Sequence, residues 1–254
     1  MASALNVMNN DLMNAEEDLA RELRVAAVEG NLEAANALFA KGVSPDATDK
    51  RGWTALMLAA KYGHLELVSL LLAKGAACDV QNDYRSSALH YAADRGHTSV
   101  VAHLLRGGAS PNSAGYSPLR YAVAGGHYDS THVLLEAGAD PNAHEGGDSG
   151  VLDTAVGVKD KRLVQLLLDY GAEVDDPEDN GWTPLMSAVR WGQLDIAALL
   201  IQKRADVNAQ TRHDMTPISL AHMAYRDARK RKDQDATAHA QEMLDLLYDA
   251  GAKD

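Results

Sequence analysis

GWTALMLAAKYGH, residues 52 to 64, decides how this chain folds, because its pattern returns four more times. RSSALHYAADRGH (85–97), AGYSPLRYAVAGGH (114–127), GWTPLMSAVRWGQ (181–193) and DMTPISLAHMA (214–224) hold the same residue types in the same order. Each block passes a Thr or Ser, then runs into a short stretch rich in Leu and Ala. Where Pro follows, as at Pro118, Pro184 and Pro217, the pair reads as a helix N-cap and a first-turn proline, whose missing N–H costs nothing there. Gly63, Gly96, Gly126 and Gly192 then mark the helix end, where the chain needs a left-handed residue.

A second block follows each of the first three at matching register, and stands again before the fourth. LLLAKGA (70–76), HLLRGGA (103–109), VLLEAGA (133–139) and LLLDYGA (166–172) place Gly75, Gly108, Gly138 and Gly171 at a regular interval that shortens only between Gly108 and Gly138. Gly42 stands one full period before Gly75, and Arg204 one full period after Gly171, where a Gly is due. Gly251 closes the series. Within one period Leu65, Val68, Leu71 and Leu72 recur at helical spacing, and so do Leu56, Ala59 and Ala60. The seven prolines all fall at predicted helix starts or in turns. No run has strand periodicity.

A repeat of about 33 residues built on T-P-L-H-x-A resembles the ankyrin repeat, a turn followed by two antiparallel helices. The resemblance runs over residues 18–254. It implies an all-α ankyrin-repeat solenoid of stacked helix-turn-helix units with projecting β-turn fingers. A lead is expected at 1–17, then one domain at 18–254. Its units are a cap at 18–46, repeats at 47–79, 80–112, 113–142, 143–175 and 176–208, and an extended terminal unit at 209–254. One such unit cannot bury both its faces, so stability is expected to come from its neighbours. The 113–142 unit is shortened before Ser117, which predicts a stunted finger. The 143–175 unit departs furthest, with Gly150 at the Thr position, Lys159 at the Gly position and a glycine-rich finger, EGGDSG. Between Thr216 and Gly251 the terminal unit is longer than the matching stretch from Thr54 to Gly75, which predicts longer final helices.

Composition narrows the function classes. A net charge of −12 over 254 residues argues against a nucleic-acid or acidic-membrane binder. A single cysteine, Cys78, excludes an internal disulfide framework and fits a reducing compartment. The N-terminal stretch lacks a basic start with an apolar run, so no signal peptide is expected, and no apolar stretch approaches a membrane span. A cytoplasmic protein, monomeric on its own, follows as the expectation.

The ten histidines invite a metal or catalytic reading. His64, His97 and His127 all follow the helix-ending Gly, however, and His90 sits in the H slot of the repeat, so these four read as structural. No HExxH, Cys pair, Walker or dinucleotide motif occurs, and Asp46, Asp49, Asp79, Asp140 and Asp175 read as turn residues. No cofactor, metal or catalytic set is expected.

The ankyrin resemblance implies instead a partner protein held on a concave face of fingers and first helices. By register, the slots that the repeat leaves free hold Lys50, Arg51, Trp53, Lys61 and Tyr62 in one unit, and Tyr84 and Arg95 in the next. Tyr116, Trp182, Arg190, Trp191 and Met215 occupy the later ones. All three tryptophans fall in such slots. Trp, Tyr and Arg dominate interface hot spots, whereas packing of Trp53 and Trp182 flat on the neighbouring finger is the competing structural reading. An adaptor or inhibitor is the leading expectation. A structural scaffold subunit and a small-ligand-binding or enzymatic protein are the alternatives.

Overall fold

The computed structural model describes residues 2–112, 117–144 and 149–253, with side chains from residue 15 onward. The stunted finger expected before Ser117, and most of EGGDSG, lie outside these residues. The described residues form helices and turns with no strand. The chain divides into two compact units, Met1–Ala139 and Asp140–Asp254.

The first unit holds α1 (Ala2–Glu29), α2 (Leu32–Ala40), α3 (Ala55–Tyr62), α4 (Leu65–Ala73), α5 (Ala88–Asp94), α6 (Thr98–Arg106), α7 (Pro118–Ala124) and α8 (Tyr128–Glu136). Helices α1, α3, α5 and α7 pack side by side in one layer, and α2, α4, α6 and α8 in a second. The second unit repeats the arrangement with α9 (Val151–Val158), α10 (Lys161–Asp169), α11 (Pro184–Arg190), α12 (Leu194–Gln202), α13 (Pro217–Arg231) and α14 (Gln234–Asp249). There α9, α11 and α13 form one layer and α10, α12 and α14 the other. This is the two-helix repeat read from the sequence, with the final helices lengthened to 15 and 16 residues.

Where Thr or Ser precedes a first helix, the helix start is capped as its sequence requires. The Thr54, Ser117, Thr183 and Thr216 hydroxyls accept from the backbone N–H three residues on, at 3.2, 3.2, 3.4 and 3.2 Å. At Ser87 the loop is closed by His90 Nδ1, which accepts from the Ser87 N–H at 3.0 Å. The basic run 229–232 ends α13, where cations offset the helix dipole. Arg229 lies over the Tyr225 ring, Lys230 faces Asp227, and Lys232 turns the chain at φ 58°. Asp233 then caps α14 by accepting from Ala236 N.

Small residues set the distance between helices. Ala59, Ala60, Ala92, Ala93 and Ala122 are fully buried, and having no side chain beyond Cβ they let the α3, α5 and α7 backbones approach closely. Leu56, Leu89 and Leu119, with Leu71, Leu104 and Leu134, fill the space between the layers, each contributing about 2 kcal/mol of burial.

Two sets of polar bonds cross from repeat to repeat. Nε2 of His64, His97 and His127 donates to Val28, Lys61 and Asp94 carbonyls at 2.9, 3.1 and 2.9 Å. These carbonyls lie at the ends of the preceding first helices, where no intrahelical donor remains. In the second unit Gln193 Nε2 does the same for Val156 at 2.9 Å, and His239, reaching from α14, for Gly192 at 2.6 Å. Asp160, at the histidine position of its repeat, has no donor and pairs with Arg162 instead, which holds its carboxyl below the usual range. The second set lies in the exit turns. Asp46 accepts from Ala77 N and Asp79 from Ser110 N, while in the second unit Asn142 accepts from Glu173 N, Asp175 from Asp206 N and Asn208 from Lys253 N, all within 2.8–3.0 Å.

The glycine positions show how firmly this geometry is imposed. Gly63 has φ 77°, and a Cβ there would lie 2.8 Å from the His97 ring, so both the turn and the stacked imidazole demand Gly. Where Gly is missing the turn persists, with Lys159 at φ 65° and Arg204 at φ 72°. Such residues store roughly 1–3 kcal/mol of strain. Replacing Arg204 with Gly should therefore raise stability by roughly 1 kcal/mol after the added chain entropy of Gly is counted. Gly63→Ala should lower it by more than that. Urea-unfolding midpoints of the two variants against the parent check both signs.

Asp175 carries a pH prediction. Burial, with Asp206 nearby, pushes its carboxyl above the ordinary value, despite the bond from Asp206 N. Ionisation is thus harder in the folded state, and this group's contribution is complete at low pH and falls as pH rises through its folded pKa. Asp175→Asn keeps the acceptor, as Asn142 and Asn208 do at the matching position, and removes that loss. It should raise the melting temperature at pH 7, with the gain vanishing as pH falls through the carboxylate range.

Candidate functional site

In the first unit the fingers are shaped by one polar side chain apiece. The Asp49 carboxylate accepts from Arg51 N and Trp53 N at 2.8 and 2.9 Å, and Asn82 Oδ1 from Tyr84 N and Ser86 N at 3.0 and 3.2 Å. Asp83 N donates to Arg51 O at 3.0 Å, joining the two fingers by their backbones. Lys50, Arg51 and Tyr84 are left exposed at the tips, Tyr84 at 62%.

Behind the tips lies an aromatic cluster. The half-buried Trp53 indole stacks on the Tyr91 ring of the next repeat, with centroids 4.5 Å apart and planes at 27°. Lys61 Nζ sits 5.2 Å from the Trp53 ring, 5.8 Å from Tyr91 and 6.0 Å from Tyr62. Tyr91 Oη accepts from Asn82 Nδ2 at 2.6 Å, so the same Asn that shapes the finger anchors the stack. Burial pushes the Tyr91 phenol above its ordinary pKa, against the hydrogen bonds it receives, and it remains neutral. Tyr62 is 48% exposed beside His64, and Arg95 is exposed and paired with Asp94 at 3.2 Å.

The second unit carries its own face. Asn180 Oδ1 accepts from Trp182 N at 2.7 Å, and Arg212 N donates to Asn180 O at 2.8 Å, so these fingers too are joined. The half-buried Trp182 donates its indole N–H to Ser187 Oγ at 2.8 Å, and the Arg190 guanidinium lies 6.0 Å from its ring. Trp191 is 47% exposed and rests along α9 at Gly157, where a Cβ would meet the indole at 3.6 Å. Met215 is half-buried, its N–H held by Thr211 Oγ1. Tyr116 lies outside the described residues.

The structure thus sorts the sequence-derived residues by what they touch. Trp53 and Trp182 have structural partners inside the array, whereas Tyr62, Tyr84 and Trp191 present large apolar surface to solvent. Tyr91 and Ser187, which receive the two tryptophans, were not singled out by sequence. They share one register slot, held by Leu58, Tyr91, Tyr121, Thr154, Ser187 and Leu220, and that variability was the available signal. The exposed His144 bonds the buried Asp176 carboxylate at 2.7 Å. Among the described residues no three His, Cys, Asp or Glu side chains are placed to hold a metal ion, and no helix is long and apolar enough to cross a membrane.

A family model described as ankyrin repeats (3 copies) matches residues 23–114, 75–145 and 150–211, most of the chain. The chain belongs to the ankyrin-repeat family. The human ASB11 ankyrin repeat domain superposes with a TM-score of 0.76 at 23% identity, over 91% of this chain and 98% of that one. The ankyrin repeat domain of Bcl-3, a member of the IkappaB protein family, gives 0.72 at 27% identity, over 89% and 97%. By sequence, 78 residues are 41% identical to the 2-5A-dependent ribonuclease of Homo sapiens and 75 residues are 40% identical to that of Mus musculus. The matched stretch spans 30% of this ankyrin chain and only 10% of the human ribonuclease. Ankyrin repeats generally mediate protein–protein interaction, and the fold is generally a non-enzymatic module.

The stack makes its own prediction. Trp53→Ala should lower the melting temperature by several degrees, the loss expected when an aromatic pair and its buried area are removed. Tyr91→Phe should cost less, because the ring remains and only the Asn82 bond is lost. Thermal melts followed by circular dichroism rank the two variants.

Proposed function

We propose that this ankyrin-repeat chain is a non-catalytic binding module that holds a partner protein on its finger and first-helix faces, as an adaptor or an inhibitor of that partner. The observation that carries the reading is the exposure of Tyr62, Tyr84 and Trp191 in slots that the repeat pattern leaves free. Lys61 lies 6.0 Å from the Tyr62 ring, Arg51 is joined to the Tyr84 finger through Asp83 N, and Arg190 precedes Trp191, so each aromatic anchor is offered with a cation nearby. A partner surface with apolar side chains ringed by carboxylates fits that chemistry. Trp53 and Trp182 act by holding the fingers in place.

The named dependence of the similar ribonucleases on 2-5A supports a second reading, a small ligand bound at the Trp53, Tyr91 and Lys61 cluster, where rings and a cation lie together. A melting-temperature rise on adding 2-5A, abolished by Lys61→Ala, would favour this reading over the first.

The partner reading is tested by affinity purification from the native cell with the parent and two double variants, Tyr62→Ala/Tyr84→Ala and Arg190→Ala/Trp191→Ala. A true partner should bind at least one of the variants about 30-fold more weakly, the loss of a hot spot of about 2 kcal/mol. Undiminished binding by both folded variants refutes this assignment of the faces.

A further inference from the structure

We propose that the chain associates with itself head to tail, the outward face of α13 and α14 in one copy docking on the outward face of α1 and α2 in another. Of the nine large apolar side chains left exposed among the described residues, Val25, Val28, Leu32, Met223 and Tyr248 lie on these four terminal helices. Terminal repeats ordinarily turn a polar face outward, so this concentration needs an occupant.

The two grooves on these faces are rimmed by opposite charge. Helix α1 packs against α3 and α2 and buries Ala20, Leu23, Ala26 and Ala27. Its opposite stripe sets Val25, 50% exposed, between Glu22 and Glu29, one turn away on either side. Arg21 is already paired with Asp18 at 3.1 Å, and among the described residues neither Glu22 nor Glu29 forms a salt bridge. These residues border a shallow groove of about 380 Å³ between α1 and α2, floored by Ala34 and Leu38.

Helix α13 packs against α11 and α14 and buries Ile218, Leu220, Ala221 and Ala228. Away from them, Met223, 43% exposed, is followed one turn later by Arg226, and both line a groove of about 730 Å³ with Lys253, His222 and the single acid Asp214. Arg226 and Lys253 form no salt bridge among the described residues. The His222 ring, bonded to Tyr248 Oη at 3.0 Å, carries the apolar surface across to α14. An apolar centre rimmed by unpaired carboxylates on α1 therefore matches an apolar centre rimmed chiefly by unpaired cations beside α13. Such a contact is heterologous, so one copy uses both of its ends. The expectation from the sequence is a monomer, and the two outcomes are separated by the average mass in solution.

Sedimentation velocity on the full chain, from low micromolar to about 0.5 mM, tests the proposal. The average mass should climb above 27.2 kDa with concentration, and less steeply as NaCl is raised from about 0.05 to 0.5 M. Glu22→Lys/Glu29→Lys and Arg226→Glu/Lys253→Glu change only exposed residues, and matching circular dichroism melts would show both variants folded. Each alone should associate at least about tenfold more weakly than the parent. Mixed together they should form a 1:1 complex, because each retains the end that the other lacks. A mass fixed at 27.2 kDa at all concentrations overturns the proposal. So does self-association of either variant at the parental strength, or a mixture that stays monomeric.

Discussion

Nε2 of His97, held on the Lys61 carbonyl at 3.1 Å while its ring lies on Gly63, shows the constraint from which the architecture follows. A first helix of seven or eight residues is too short to hold itself in water, and its last carbonyls have no donors of their own. The next repeat supplies the donor from the start of its second helix. The ring can reach only because the turning residue has no Cβ. Left-handed turn, absent side chain and histidine thus form one device, repeated at His64 and His127 and rebuilt with Gln193 and His239.

Most of this was legible in the amino acids because each element of the device leaves a local mark. Thr or Ser before Pro, Gly at the helix end, His after it, and Asp or Asn in the exit turn all recur at fixed intervals. The extended terminal helices could be anticipated from the surplus between Thr216 and Gly251. What the sequence did not disclose depends on distance across repeats. The Trp53–Tyr91 stack joins residues of two successive units, and the capture of Gly192 O by His239 spans 47 positions. Histidines that no metal motif explained turn out to be interface donors, a role visible only once the repeats are stacked.

The same division orders the candidate site. Side chains in repeat slots are consumed by neighbours, and Trp53 and Trp182, placed in free slots by register, prove to be partly consumed as well. Tyr62, Tyr84 and Trp191, with Lys50, Arg51 and Arg190, keep their surface exposed. Register alone could not separate these two groups, because it identifies which positions the fold leaves open and not which of them local chemistry then fills. The outward faces of the terminal helices are a second surplus, distinct in kind, where exposed apolar side chains sit beside charges that form no salt bridge among the described residues.

If each repeat is held chiefly by the next, breaking one bond should loosen both sides of it. Native-state hydrogen exchange of His97→Ala examines this directly. Amides at the end of α3 and at the start of α6 should lose protection together, with α7 and α8 less affected. Loss confined to the residues around position 97, with α3 as protected as in the parent, would contradict the account.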